Sequence, residues 1–199
     1  MQAKKRLLFV GAIAAVAMAM GVTSASANRL SLNHTAFRAV FAPLRLRSSG
    51  VDLSACNVTF EGSFHASTFQ KVSRTLIGVV NRASVTGCTT GGETVLAETL
   101  PWHLTYRSFT GTLPRITGMS INLVGYASRL RSIMGECLLR SSAEEPAVFI
   151  AERSAEGQIT GLRADTTATI RCGLITSNFE GTAAVTENPG GGRFTLTLI

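Results

Sequence analysis

Lysine is almost missing from this 199-residue chain: Lys4 and Lys5 stand at the N-terminus, and Lys71 is the only one after them. Aspartate is limited to Asp52 and Asp165, tryptophan to Trp102, tyrosine to two residues and histidine to three. Each shortage removes a class of chemistry. His34, His65 and His103 lie far apart and none has a ligand partner two to four residues away, so a zinc motif is missing and no metal is expected. With two aspartates and no G-x-S-x-G elbow, a Ser-His-Asp hydrolase has little to build on. No C-x-x-C occurs, which removes a thioredoxin-type site and a zinc ribbon. No nucleotide-binding motif is present, and no cofactor is implied. No basic stripe interleaved with aromatics runs along the chain, so nucleic acid is not an expected partner. After residue 27 no apolar run reaches the roughly 20 residues a membrane-spanning helix needs.

The N-terminus holds what the rest lacks. Lys4, Lys5 and Arg6 precede an apolar stretch from Leu7 to Met20, and small polar residues lead to Ala25-Ser26-Ala27. A positive start, a short apolar core and an A-x-A ending form the pattern of a secretory signal peptide. The sequence therefore divides into a cleaved leader, 1–27, and one domain, 28–199. The expected location is extracytoplasmic, secreted or held in a bacterial cell envelope.

The leader takes with it three of the seven net positive charges, leaving sixteen basic against twelve acidic residues. The closest basic pairs are Arg45/Arg47 and Arg129/Arg131, each on one face of a strand. They suit a solvated edge or a contact with anions or polysaccharide. Cys56, Cys88, Cys137 and Cys172 are an even set in an exported chain, which implies disulfides. Sequential pairing, Cys56 with Cys88 and Cys137 with Cys172, closes two loops of similar length. Each contributes about 3–4 kcal/mol by the chain-entropy argument.

Apolar and polar residues alternate through most of residues 28–199. Cys56, Val58 and Phe60 alternate with Asn57, Thr59 and Glu61; Met119, Ile121 and Leu123 alternate with Ser120 and Asn122. Trp102, Leu104 and Tyr106 share a face opposite His103, Thr105 and Arg107. Period two marks half-buried strands. Turn residues between the runs predict nine to eleven short strands, an all-β antiparallel sandwich or barrel-like domain. One segment departs from the pattern. Phe69, Val72, Leu76 and Val79/Val80 recur at helical spacing behind a capping-box sequence, Ser67-Thr68-Phe69-Gln70. This predicts one inserted helix at 67–81.

The densest polar cluster is Glu98-Thr99-Leu100-Pro101-Trp102-His103. A carboxylate, an imidazole and the only tryptophan lie within six residues, and Trp102 offers a ring for stacking on a sugar. Glu61 supplies a second carboxylate, and glycosidases work with two. Glu61, Glu98 and His103 are thus the candidate catalytic residues, with Trp102 as the candidate binding residue. The plainer alternative has Pro101 starting a strand, Trp102 packed inward and His103 in solvent.

Gly62-Ser63-Phe64-His65, Glu98 to His103 and Gly111-Thr112-Leu113-Pro114 resemble a group of secreted bacterial all-β proteins of uncharacterised activity. The resemblance covers Cys56 to Ile199 and implies export and a single domain, without an activity. The reading favoured by these residues is a secreted or envelope β-domain that binds or supports, and not an enzyme. An extracytoplasmic enzyme acting on carbohydrate is the alternative, and an outer-envelope β-barrel is the second. The alternation from Phe194 to Ile199 suits a closing barrel strand, while the scarcity of aromatics speaks against membrane girdles.

Overall fold

The structure is a computed structural model that describes residues 29–199. The expected leader, 1–27, lies outside the described residues. The alternating runs become strands, numbered here along the chain. The first group is β1 (Arg29–Leu32), β2 (Ala36–Ser48), β3 (Val51–Phe64), β4 (Thr68–Gln70), β5 (Leu76–Thr90) and β6 (Gly92–Val95). After a single 3-10 turn at Ala97–Thr99 come β7 (Trp102–Thr112), β8 (Arg115–Val124), β9 (Ala127–Ser132) and β10 (Gly135–Arg140). The last group is β11 (Ala147–Arg153), β12 (Ile159–Ala164), β13 (Thr169–Cys172), β14 (Ile175–Glu180), β15 (Thr182–Glu187) and β16 (Leu196–Leu198). The protein is all-β and antiparallel, as the periodicity predicts.

Eight strands close into a barrel. Around its wall the order is β2, β3, β5, β7, β8, β11, β12 and β15, and β15 pairs back onto β2 through Ala183↔Phe41 to Glu187↔Phe37. A second sheet grows from the far halves of the long strands β2 and β3. It runs from β2 through β14, β13, β10 and β9 to β6. Both sheets share β2 because it changes neighbour midway. Its first half pairs with β15, and Arg45–Arg47 pair with β14.

Two of the crossings between the two sheets are made at glycines pressed against a neighbouring strand. Gly181 separates β14 from β15 with φ +152°, and a Cβ there would lie 2.8 Å from the Pro43 carbonyl oxygen. Gly91 separates β5 from β6 with φ +61°, and a Cβ would strike the Leu53 carbonyl oxygen. A left-handed backbone pressed against a neighbouring strand leaves room for glycine alone.

A third, small sheet of β4, β1 and β16 lies across the barrel end where the two ends of the described residues meet. It places Leu30, Leu32, Phe69 and Leu196 in the core. The other end is filled by aromatic rings. Trp102 lies 4.8 Å from Tyr126 between ring centroids, and Phe60, Phe149 and Phe179 surround them. The same rings join the barrel core to that of the second sheet.

The cysteines form two pairs at disulfide distance, Cys56 with Cys88 (Cα–Cα 4.0 Å) and Cys137 with Cys172 (5.5 Å). The first staples β3 to β5 and the second β10 to β13.

The helix expected at 67–81 is absent. Thr68–Gln70 form β4, which pairs with Arg29–Ser31 of β1; a turn follows, with Arg74 at φ +66°, and β5 starts at Leu76. Phe69 and Val80 are buried while Val72 and Leu76 are exposed, so the helical spacing joins residues that share no face. The Ser67 carbonyl accepts a hydrogen bond from the Leu32 amide, a long-range contact that no local pattern announces. The count also differs: sixteen strands among the described residues, five of them no more than four residues long. Nor are all strands short, since β2, β3 and β5 have 13 to 15 residues.

Candidate functional site

The inward residues of the alternating strands enclose a cavity of about 60 Å³ in the barrel. Every barrel strand contributes to it: Phe37 and Ala39 from β2, Phe60 and Phe64 from β3, Val80 from β5, Leu104 from β7, Met119, Ile121 and Leu123 from β8, Phe149 and Ala151 from β11, Ile159 and Leu162 from β12, Val185 from β15. Leu32 and Phe194 reach in from the end-closing segments. No lining side chain is polar. Such a cavity repels water and accepts aliphatic or aromatic carbon, since filling it restores dispersion contacts without breaking hydrogen bonds. An apolar cavity of about 150 Å³ holds benzene. This one is smaller, so a chain of carbons enters only if part of the lining moves.

At one end of the barrel the cavity is covered by side chains from outside the wall strands, Leu32 and Phe194. Phe194 lies just before the three-residue β16, at 6.4 Å from Phe64 and 5.7 Å from His34 between centroids. The His34 ring reaches Glu187 at 3.0 Å, at the end of β15. The backbone of this closure is tied to the wall: the Phe194 carbonyl accepts from the Ile159 amide at 2.8 Å, Arg193 and Thr195 bridge to Thr186 and Gln158, and Arg153 donates to the Leu196 carbonyl. A ligand therefore enters by movement of side chains.

Beyond the aromatic floor lies a buried polar cluster. The alternation Tyr126-Ala127-Ser128 turns both hydroxyls to one side, where they meet Glu93 of β6. Tyr126 donates to Glu93 Oε1, Ser128 donates to the same oxygen at 2.6 Å, and the two hydroxyls are 2.9 Å apart. Ser54, fully buried, faces the carboxylate without reaching hydrogen-bond geometry. Burial raises the Glu93 pKa above the ordinary carboxylate range, and the three hydroxyls only partly offset it. Burial also pushes the Tyr126 phenol well above its usual value, with the Glu93 charge adding to the effect.

The residues singled out in the sequence lie elsewhere. Trp102 is fully buried between Phe60 and Tyr126, and its indole N–H donates to the Thr99 hydroxyl at 2.8 Å. Its faces are in the core and not offered to solvent. His103 is exposed on the outer wall, and Glu98 is exposed in the 3-10 turn. Glu61 also faces outward, between Arg38 at 3.6 Å and Arg82 at 3.8 Å. Among the described residues, no hydrogen bond or ion pair joins Glu61, Glu98 and His103. Arg45 and Arg47 are answered by Asp52 and Glu180, and Arg129 and Arg131 by Glu136. Sequence reasoning missed Glu93. The one available signal is Tyr126 and Ser128 in phase on a strand, a pairing that asks for a buried polar partner.

Residues 1–144 match the family model described as alkane oxidation protein activator PraA/PraB-like. The matched span ends after β10 and so stops before β11, β12 and β15. No curated protein and no solved structure matches the chain.

Proposed function

Because the chain belongs to the alkane oxidation protein activator PraA/PraB-like family, we propose that it is an exported binding module whose barrel takes up a linear apolar chain, as an alkane or a fatty acyl group. The carrying observation is the cavity: sixteen lining residues, all apolar, drawn from every barrel strand. The family description supplies the class of molecule, and the lining supplies the chemistry to hold it. Export is supported by the leader pattern of 1–27 and by two cysteine pairs at disulfide distance.

The outer wall supports an aqueous setting for the barrel. Arg38, Glu61, Arg82, Glu152 and Arg163 point outward, with apolar residues inside. A membrane barrel has the reverse arrangement, with an apolar band outside and a polar lumen. Uptake would begin at the terminal closure. The Phe194 and Leu32 side chains turn aside, and the bound carbons replace the contact of Phe194 with Phe64. No proton transfer and no covalent step are required.

The test is titration of the purified chain, residues 28–199, with hexadecane and with a fluorescent fatty acid. Saturable one-to-one binding is expected, and Ala39→Leu with Ala151→Leu, which fill the cavity, should weaken it about tenfold or more. Absence of saturable binding, or equal binding by the filled variant, would sink the reading.

A further inference from the structure

We propose that the three hairpin tips at the end of the second sheet dock the protein onto an anionic phospholipid bilayer. The β2–β3, β9–β10 and β13–β14 turns all point the same way. Leu139 pairs with Cys172, and Arg47 pairs with Asn178, which fixes the alignment of the three hairpins. The Ser48 hydroxyl donates to the Thr176 carbonyl at 2.8 Å and holds two of the tips level. From the Leu139–Cys172 rung the β9–β10 hairpin continues farther than its neighbour, by about 10 Å at roughly 3.3 Å per residue.

Each tip carries an aliphatic side chain into solvent. Leu174 is fully exposed, Ile133 is 84 % exposed, Met134 60 % and Val51 48 %. None of these positions lines the barrel cavity. A protein partner would need shape to match, whereas a bilayer accepts isolated apolar points, with Ile133 and Met134 on the longer hairpin entering first. The arginines decide which bilayer. Arg45, Arg47, Arg129, Arg131 and Arg171 lie on these hairpins and are met by Asp52, Glu136 and Glu180 of the same hairpins and by Glu145 of a neighbouring segment. Glu136 alone answers two arginines, both at 2.9 Å and both largely exposed. Exposed pairs of this kind hold weakly, so exchange of a carboxylate for a lipid phosphate costs little, and phosphate suits the guanidinium fork. Arg29 and Ile199, the two ends of the described residues, are hydrogen-bonded to each other at the opposite end of the barrel.

The experiment is vesicle flotation of residues 28–199 with phosphatidylcholine vesicles and with vesicles containing roughly one-third phosphatidylglycerol. Wild type should float with the phosphatidylglycerol vesicles and do so less at high salt. Ile133→Ser with Met134→Ser, and separately Leu174→Ser, should lower the bound fraction about tenfold. These side chains are exposed, and an unchanged circular dichroism spectrum confirms that the variants fold. Wild type that stays with the supernatant on both vesicle types overturns the proposal, as does floating of the variants at the wild-type level. A concentration-dependent dimer lost in Ile133→Ser/Met134→Ser, without vesicle binding, overturns it in favour of a second copy of the chain. The proposal stands apart from the cavity reading, because Ala39→Leu/Ala151→Leu should float as wild type does.

Discussion

At the residue scale the most consequential group is one that the sequence hid. Glu93 is a half-buried residue of a four-residue strand, between Gly92 and Thr94, and nothing local marks its carboxylate as turned inward onto Tyr126 and Ser128. Its acid form is held more tightly in the folded chain than in the unfolded one, because burial penalises the carboxylate. The stability this group contributes is therefore full below the ordinary carboxylate range and is lost as pH rises through its raised folded pKa. Exposed Glu136 has the opposite sense: hydrogen bonds from Arg131 and Arg129 lower its pKa, so its contribution disappears as pH falls. The difference between wild type and Glu93→Gln isolates the buried group. Urea midpoints measured across acid to neutral pH should show wild type losing ground to the glutamine variant as pH rises. A difference that stays flat with pH would show that Glu93 is not the buried acid described. Tyr126→Phe keeps the ring between Trp102 and Phe179 but removes a donor to Glu93. It should cost about 1–3 kcal/mol and make the pH dependence steeper, since that hydrogen bond lowers the Glu93 pKa.

At the scale of elements, the crossings between sheets carry the fold. Gly181→Ala puts a methyl against the Pro43 carbonyl in a conformation that side chains seldom adopt. A loss of about 1–3 kcal/mol is expected, read as a lower Tm, with the terminal strands unaffected. An unchanged Tm would mean that β14 and β15 are not fixed by this residue. The pair Cys137 and Cys172 ties β10 to β13 at the base of the projecting hairpin. Replacing both with serine should cost about 3–4 kcal/mol for a loop of this length, seen as a shifted urea midpoint in nonreducing buffer. Much at this scale was legible in the sequence. Cys56, Val58 and Phe60 face inward, as do Met119, Ile121 and Leu123, because period two leaves strands no other way to hide apolar side chains. The segment 67–81 was misread because Phe69 is buried by pairing with β1, nearly 40 residues earlier, while Val72 and Leu76 are not buried at all. Local spacing carries no information on a partner so distant, and tertiary pairing overrides it.

At the scale of the whole molecule, alternation alone does not distinguish a sandwich from a barrel, since both present one apolar face per strand. Closure is decided by a single long-range register, β15 on β2, between residues 142 positions apart at Ala183↔Phe41 and 150 at Glu187↔Phe37. The cavity exists only through that closure, because Phe149, Ala151, Ile159, Leu162 and Val185 all come from residues after 144. The family match ends at 144, yet the barrel does not. A chain of residues 28–144 would leave β8 and β2 as open edges with their inward faces uncovered, and exposed flat edges invite aggregation. It should be insoluble or unfolded by circular dichroism, while residues 28–199 fold cooperatively. A soluble, folded 28–144 fragment that still bound fatty acid would place the ligand outside the barrel interior and undo the cavity reading. The outer-wall triple variant Glu61→Gln, Glu98→Gln, His103→Ala makes the complementary point: with all three side chains outside the barrel, acyl-chain binding should be unchanged, and a loss would move the site to the outer wall.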